Sequence, residues 1–287
     1  MSDQTAPAVP GRGGDPAVRC GLCPHRCVIP EGGTGFCGVR ENRAGKVAYT
    51  AYGKVSSVAL DPIEKKPLRL FHPGKRILSV GGVGCNLRCP FCQNFELSAE
   101  FGHRRTKTLS PEQVAALAVE AVPDGNIGVA YTYNEPLIGV EFVLDCAKLI
   151  RGAGLCNVLV TNGMINKGPL EELLPLIDAM NIDLKGFTGD FYRGLGGDLE
   201  TVKQTITLSR GRCHVEVTTL VIPGENEDDI EPLSAWLASL DPEIPLHLSR
   251  FFPRYRYADR QPTPVETLFR LRDVAGRFLK NVFVGNV

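Results

Sequence analysis

Three cysteines in one short segment are the clearest sign of chemistry in this 287-residue sequence. Cys85, Cys89 and Cys92 have the spacing C-x3-C-x2-C and supply three thiolates. A structural zinc site takes four protein ligands, whereas a catalytic metal site keeps one position open. In a four-iron cluster each iron usually takes one cysteine, so three cysteines leave one iron free. The spacing therefore predicts a [4Fe–4S] cluster with one open iron, and the alternative of three buried free cysteines is less favoured.

The three cysteines follow a predicted strand. Residues 76–81 form an apolar run that ends in glycines, which is typical of a buried strand running into a loop. Proteins with α/β folds place their reactive groups on loops at the carboxyl ends of strands. We therefore expect the cluster loop at the carboxyl edge of a sheet.

Polar residues also stand at the ends of later apolar runs. In the fourth strand Asn181, Asp183 and Lys185 share one face by the two-residue period, and burial of such charges is costly unless they pair or meet a ligand. A structural salt bridge, an Asn-Glu turn and an Asn-Gly turn are the alternative interpretations. The candidate positions at the strand ends are Asn134, Glu135, Thr161, Asn162, Asp183, Lys185 and Leu220.

A second group of cysteines lies near the amino terminus. Cys20, Cys23, Cys27 and Cys37 fall within 18 residues and make a complete set of four ligands. Their spacing matches neither standard zinc ribbons nor two-cluster ferredoxins. In a reducing compartment such cysteines favour a metal site over free thiols. The pattern leaves zinc and a second iron–sulfur cluster open.

The chain divides into a disordered tail over 1–18, a small Cys-rich module over 19–75 and an α/β domain over 76–287. Strands and helical patterns alternate in the last region as six βα units. Alternation alone does not separate an open doubly wound sheet from a partial barrel. The predicted strands are 76–81, 127–133, 157–161, 179–184, 214–222, 245–251 and an edge strand 282–286. One predicted helix begins at Ser110. The others cover 137–153, 168–178, 197–210, 226–240 and 263–280.

The composition narrows the class of protein. Lys plus Arg and Asp plus Glu both number 32, so the formal net charge is zero, which argues against a nucleic-acid or acidic-membrane partner. No apolar run approaches the ~20 residues that cross a bilayer, and the amino terminus lacks an apolar signal core. We therefore expect a cytoplasmic protein that does not enter the membrane.

Several motifs together resemble the radical S-adenosylmethionine (SAM) superfamily. The cysteine spacing with Phe91 inside it resembles the superfamily as a whole, and six segments resemble its pyruvate formate-lyase activating-enzyme-like branch. Within that branch the sequence is most similar to the radical SAM enzyme of the AmmeMemoRadiSam system. The likeness extends over roughly residues 20 to 287. The six segments are Asp61–Pro67, Phe91–Asn94, Tyr131–Pro136, Thr161–Gly163, Asn181–Gly186 and Val284–Val287.

The resemblance implies a fold, cofactors and residue roles. It implies a partial (β/α)6 barrel in which SAM binds the open iron of the cluster and is cleaved to a 5′-deoxyadenosyl radical. Glu135 would accept hydrogen bonds from the amino group of SAM, although Tyr133 and Asn134 replace two glycines of the family. Thr161 and Asn162 would face the carboxylate. The remaining candidates for SAM binding are Phe91, Asp183, Lys185 and, as part of an adenine wall, Leu220.

The resemblance also implies partners and a choice of functions. An electron donor such as flavodoxin or ferredoxin would reduce the cluster. The radical would abstract hydrogen from a partner protein or peptide, as in a glycyl-radical activase. Radical modification of a small molecule or of another protein residue is a second hypothesis. A non-catalytic iron–sulfur protein for electron transfer or scaffolding is the third, and it gives Glu135, Asp183 and Lys185 no task.

Overall fold

A computed structural model describes residues 17–103 and 105–287 of the chain. Most of the predicted tail over 1–18 lies outside the described residues, and Val18 already belongs to a strand. Nowhere in the described ranges is there a helix with the length and apolar character needed to span a membrane.

The strands agree closely with those predicted for the α/β region, with ends that differ by one or two residues. In chain order they are β1 Val18–Arg19, β2 Val28–Ile29, β3 Arg40–Arg43, β4 Lys46–Tyr49, β5 Lys54–Val55, β6 Ser57–Pro62, β7 Arg76–Gly81, β8 Lys107–Thr108, β9 Asn126–Thr132, β10 Cys156–Thr161, β11 Ala179–Asp183, β12 His214–Val221, β13 Leu246–Arg250 and β14 Val282–Gly285.

Six of the eight helices in the described residues fall within the predicted intervals, several of them with shorter extents, and α1 and α5 were not predicted. The helices are α1 Phe95–Ser98, α2 Pro111–Glu120, α3 Val140–Gly152, α4 Lys167–Leu173, α5 Gly189–Gly194, α6 Leu199–Ser209, α7 Ile230–Leu240 and α8 Val265–Ala275. The 3₁₀ turns Pro136–Gly139 and Leu174–Leu176 extend two of the predicted helical intervals.

Within the described residues, the main sheet has eight strands in the order β14-β13-β12-β11-β10-β9-β7-β6. In this sheet β7 and the strands from β9 to β14 pair in parallel, and β6 pairs antiparallel with β7. Strands β6 and β14 are the two edges, so the sheet is open between them. The predicted α/β class with six βα units is confirmed. Strand β6 lies within the predicted module 19–75 but belongs to this sheet, and the domain division stays a prediction.

The start of α2 shows how local sequence fixes an element. The Ser110 hydroxyl accepts a hydrogen bond from the Gln113 main-chain N–H, and the Gln113 side chain accepts one from the Ser110 N–H. This reciprocal capping box satisfies donors that a helix start leaves free. The fully buried Val114 and Ala118 lie four residues apart and therefore share the face that packs on the sheet.

The loop between β6 and β7, residues 63–75, fills one end of the barrel interior. Ile63 and Leu68 are fully buried against sheet residues that point to the inner face. The Asn181 amide donates to the Pro67 carbonyl at 2.8 Å, and Glu216 accepts from the main-chain N–H groups of Arg69 and Leu70. The loop thus closes the barrel at the end away from the strand carboxyl termini. The inner-face residues in contact are Ile77, Ala130, Val158 and Ala179.

Candidate functional site

A cavity of about 410 Å³ lies at the carboxyl ends of the parallel strands. Its volume is in the range of ordinary small-molecule sites, about 300–1,000 Å³. Each residue predicted from the C-x3-C-x2-C segment and the strand ends lines this cavity. These residues are Cys85, Phe91, Cys89, Cys92, Asn134, Glu135, Thr161, Asn162, Asp183, Lys185 and Leu220.

The cysteine loop after β7 presents its thiols to the cavity. The Asn162 amide lies 3.5 Å from the Cys85 sulfur, and the Leu87 main-chain N–H donates to the same sulfur at 3.3 Å. Burial raises the pKa of Cys89 to about 12 and that of Cys85 well above its ordinary value. The Cys85 and Cys89 thiols are therefore protonated without a metal, and a metal that binds them must displace protons.

Arg88 fastens this loop to the amino-terminal segment, which sequence reasoning did not anticipate. Its guanidinium donates to the carbonyls of Cys85 at 2.8 Å and Leu87 at 2.9 Å, and also to the Phe36 carbonyl. The same group lies 4.2 Å above the Phe36 ring. The planar guanidinium donor set suits several acceptors at once, so Arg88 fixes the backbone that carries Cys85.

Glu135 ties the ends of β9 and β10 together. Its carboxylate accepts hydrogen bonds from the Thr161 hydroxyl at 2.7 Å and from the main-chain N–H groups of Asn162 at 2.7 Å and Leu137 at 2.9 Å. Burial raises the pKa of Glu135 to about 7, although these donors oppose the rise. A carboxylate has about four acceptor positions, so Glu135 keeps capacity for one more donor from the cavity.

The residues that replace the two family glycines are held by specific contacts. Tyr133 has φ +71°, a conformation that glycine adopts readily and a tyrosine rarely. The Asn134 amide accepts from the Gly82 N–H at 2.9 Å and donates to the Gly84 carbonyl at 3.2 Å. The backbone of this turn therefore keeps the glycine-like path, and Asn134 braces the start of the cysteine loop.

Asp183 and Lys185 form an ion pair inside the cavity. The Lys185 ammonium lies 2.9 Å from an Asp183 carboxylate oxygen. Burial by itself lowers the pKa of Lys185, but the Asp183 charge raises it above its ordinary value, so the ammonium stays charged. Asn181, predicted to share this face, instead bonds to Pro67 and accepts from Thr218, so it supports the barrel interior.

Apolar and aromatic groups complete the cavity wall. Leu220 and Phe252 line it. The Phe252 side chain is exposed and lies 4.9 Å from the Arg250 guanidinium. His247 takes no part in this wall, because its Nε2 is 2.6 Å from Glu216 inside the barrel.

A polar group on the β6 side of the cavity escaped prediction. Asp61 accepts hydrogen bonds from the Lys66 ammonium at 2.8 Å, the Tyr133 hydroxyl at 2.6 Å and the Ser79 hydroxyl at 2.9 Å. Burial alone raises the pKa of Asp61, but these donors lower it to about 2. Lys66 is 2% exposed, so the segment 61–67 is not simply a solvated loop.

A second cavity of about 840 Å³ adjoins the first between the two edges of the sheet. It is lined from one side by Asp61 of β6 and from the other by β14 residues 282–285. The two cavities share part of their walls, so a molecule between the edge strands reaches the cysteine loop. The shared wall residues are Lys65, Lys66, Tyr133, Thr218, Ser249 and Asn286.

The four amino-terminal cysteines line a third, small cavity together with His25, Phe36 and Arg40. Burial raises the pKa of Cys23 to about 12. Among the described side chains, the structure has no group of three or more His, Cys, Asp or Glu residues at the spacing that holds a metal ion. The cluster at Cys85, Cys89 and Cys92 and the second metal site therefore both stay predictions at this point.

Comparisons with known proteins show which family this sequence resembles. The sequence profile described as Radical SAM superfamily matches residues 79–237. An uncharacterized protein of Methanocaldococcus jannaschii is 42% identical over 283 residues, which are 95% of this chain and 82% of that protein. Pyruvate formate-lyase 1-activating enzyme of Escherichia coli strain K12 is 26% identical over 163 residues, which are 55% of this chain and 65% of that enzyme.

A solved structure shows the same fold. Streptococcus suis SuiB bound to S-adenosylmethionine superimposes with a TM-score of 0.54 and 14% identity, over 71% of this chain and 48% of that chain. The alignment with the Escherichia coli activating enzyme spans slightly less than two thirds of that enzyme's length. The matches confirm the predicted resemblance to radical SAM proteins and their activating enzymes. The closer likeness to AmmeMemoRadiSam enzymes stays a prediction.

Proposed function

Because the chain belongs to the radical SAM superfamily, we propose that Cys85, Cys89 and Cys92 bind a [4Fe–4S] cluster and that the adjoining cavity binds SAM. A cluster bound there would, once reduced by one electron, split SAM into methionine and a 5′-deoxyadenosyl radical, and that radical would abstract hydrogen. The observation that carries this proposal is the convergence of the three cysteines with charged groups from β9, β10 and β11 on one cavity.

The side chains that line the cavity fit both the [4Fe–4S] cluster and SAM. Three thiols face the cavity, and Asn162 and the Leu87 N–H point at the Cys85 sulfur, where they can support a thiolate. The cavity also offers a carboxylate, an ion pair and an apolar wall, which match the ammonium, carboxylate and adenine of SAM. A volume of about 410 Å³ is adequate for a ligand of that size.

The side chains around the cavity would bind SAM and orient it. We assign Glu135 to the ammonium of SAM, because its carboxylate keeps acceptor capacity and is buried beside Cys85. Lys185 and Asp183 present paired charges to the polar part of SAM, with Thr161 and Asn162 between them and Glu135. Leu220 and Phe91 provide apolar surface for the adenine side. These groups exclude water from the reacting atoms.

We propose an activase role, in which hydrogen is abstracted from a glycine of a partner protein. The support is the sequence similarity to pyruvate formate-lyase 1-activating enzyme and the second cavity between the sheet edges, which gives a peptide a route to the first. One electron would come from a flavodoxin or ferredoxin in the reducing environment of the cytoplasm. Modification of another protein residue or of a small molecule is the competing outcome.

The decisive assay is formation of 5′-deoxyadenosine from SAM by anaerobically reconstituted, dithionite-reduced protein. We expect product from the wild type and from Cys213→Ala, and none from Cys89→Ala. Cys213 is a matched control, because it precedes β12 at the opposite end of the barrel from the cavity.

A wild-type protein that holds its cluster but forms no product, even with candidate partners added, would contradict the proposal and favour an electron-transfer or scaffold role. If product forms, a partner protein deuterated at glycine tests the activase role. Deuterium in 5′-deoxyadenosine and a glycyl radical in the EPR spectrum are expected. Product without deuterium transfer from any candidate protein would favour a small-molecule substrate.

A further inference from the structure

Four of the cysteines outside the C-x3-C-x2-C loop are gathered in one place. Cys20, Cys23, Cys27 and Cys37 are each less than a tenth exposed and line one cavity. A Cys20 N–H to Cys27 carbonyl bond of 2.9 Å and the β1–β2 pairing hold the segment in a hairpin.

The surroundings suit a bound cation held by thiolates. The Phe36 N–H points at the Cys27 sulfur at 3.4 Å. The Arg40 side chain borders the cavity, and its guanidinium is held by Glu141 through bonds of 2.8 and 2.6 Å. Hydrogen bonds to sulfur and a nearby cation stabilise thiolates around a metal.

The segment has little other means of holding its shape. Strands β1 to β4 have only two to four residues each, and they form separate two-stranded pairs. An isolated two-stranded pair is marginally stable in water. Small segments of this kind are commonly fastened by disulfides or by a structural metal, and each of these cysteines is a free thiol.

We propose that Cys20, Cys23, Cys27 and Cys37 are the four ligands of a second metal centre, separate from the cluster at Cys85, Cys89 and Cys92. The centre takes a thiophilic metal, either one zinc ion or an iron–sulfur cluster. It fastens the segment 20–37 against the cysteine loop of the barrel. The metal binding itself does not depend on the proposed SAM chemistry.

The contact between the two regions is direct. The Asn86 main-chain carbonyl, next to Cys85, accepts from His25 Nε2 at 2.8 Å, and His25 stacks on Phe36 with ring centroids 4.2 Å apart. Asn86 also accepts from Asn162 at 2.9 Å through its side chain. A metal that orders Cys23 and Cys27 therefore also orders the neighbours of Cys85.

The test uses the full chain with Cys85, Cys89 and Cys92 replaced by alanine, purified anaerobically from cells supplied with iron and zinc. We expect this variant to keep about one zinc per chain, or about four irons with matching sulfide. Adding Cys20→Ser and Cys27→Ser should abolish that content. A matched control on the same background, Cys156→Ser with Cys213→Ser, should retain it.

Retained zinc and retained iron with sulfide would each support the proposed metal centre, but only an iron–sulfur cluster can transfer electrons. An EPR signal after reduction would identify the iron–sulfur cluster. A triple-alanine variant that is folded by circular dichroism yet contains neither metal would overturn the proposal. So would equal metal retention in the Cys20→Ser, Cys27→Ser variant. Because this assay involves no SAM, its failure leaves the SAM proposal standing, and a failed SAM assay leaves the metal centre standing.

Discussion

The Glu135 carboxylate binds two strand ends and also faces the cavity. Its oxygens satisfy the Asn162 N–H and the Thr161 hydroxyl, so the same group that we assign to SAM also sets the position of Asn162 beside Cys85. Loss of the charge is therefore expected to affect ligand binding and stability together.

We expect Glu135→Gln to weaken SAM binding at least about tenfold, which is about 1.4 kcal/mol. The amide has one acceptor oxygen in place of two, so one of the N–H donors loses its partner, and the free energy of unfolding should fall by roughly 1–3 kcal/mol. Anaerobic calorimetry and urea unfolding measure the two effects. The exposed Glu231→Gln serves as control, and unchanged SAM affinity in Glu135→Gln would remove Glu135 from the site.

Tyr133 has a left-handed backbone conformation, which costs a non-glycine residue free energy. Replacement by alanine or by glycine removes the same hydroxyl bond to Asp61 and the same contact with Lys66. Only glycine adopts φ +71° without strain. We therefore expect Tyr133→Gly to be more stable than Tyr133→Ala by about 1 kcal/mol in urea unfolding. The opposite order would show that the turn relaxes when the side chain is removed.

Residue types at the strand ends could be predicted because their period and position are local properties. Glu135, Asp183 and Lys185 line the cavity as expected. The contact between Asn181 and Pro67 could not be predicted, because the partners are 114 residues apart. Arg88 and Lys66 also escaped prediction, because their acceptors, the Phe36 carbonyl and the half-buried Asp61 carboxylate, are brought into place only by the folded loops.

At the scale of elements, the β6–β7 loop depends on one buried carboxylate. Glu216 on β12 accepts from Arg69 and Leu70 at 2.9 and 2.8 Å and pairs with His214 and His247 at 2.8 and 2.6 Å. Burial by itself raises the pKa of Glu216, but these donors lower it to about 2. The loop is thus bonded to the sheet through an ionised side chain inside the barrel.

This arrangement predicts how stability depends on acid. A carboxylate whose pKa is lowered by folding stabilises the protein above its ordinary pKa, and the stabilisation is lost as pH falls through the folded value. We expect unfolding free energy to fall by about 3 kcal/mol between pH 4.5 and 2 through Glu216. Glu216→Gln should lack this component and unfold more readily at pH 7. Glu200→Gln, which removes an exposed ion pair with Lys203, should keep the wild-type profile.

The extent of the helices was harder to predict than that of the strands. The helix start at Ser110 could be predicted from the sequence, because both partners of its capping box lie within four residues. The predicted helix 263–280 ends instead at Ala275, and α5 at Gly189–Gly194 was missed within a loop rich in glycine. Helix ends depend on how the following loop packs on the sheet, which local sequence does not determine.

At the scale of the whole molecule, Gly84 lies where the amino-terminal segment packs tightly on the barrel. A Cβ at this position would lie 2.8 Å from the Cys37 carbonyl oxygen and 2.9 Å from Val39. We expect Gly84→Ala to lower the free energy of unfolding by more than about 2 kcal/mol and to reduce the metal content of the second centre. Gly125 has the same φ of +87° but open space around it. Gly125→Ala should therefore show only the smaller backbone cost, and equal losses would mean that the contact is unimportant.

The open edge between β6 and β14 has a mechanical consequence. In a closed barrel, hydrogen bonds around the whole circumference fix the diameter. Here the spacing of the edge strands is set by side-chain bonds to the β6–β7 loop, chiefly those of Asn181 and Glu216, and by β14 pairing with β13. The width of the gap can therefore change when a few side-chain hydrogen bonds break, while the hydrogen bonds between neighbouring strands stay intact. The barrel is therefore stiffer along its strands than across the gap between β6 and β14.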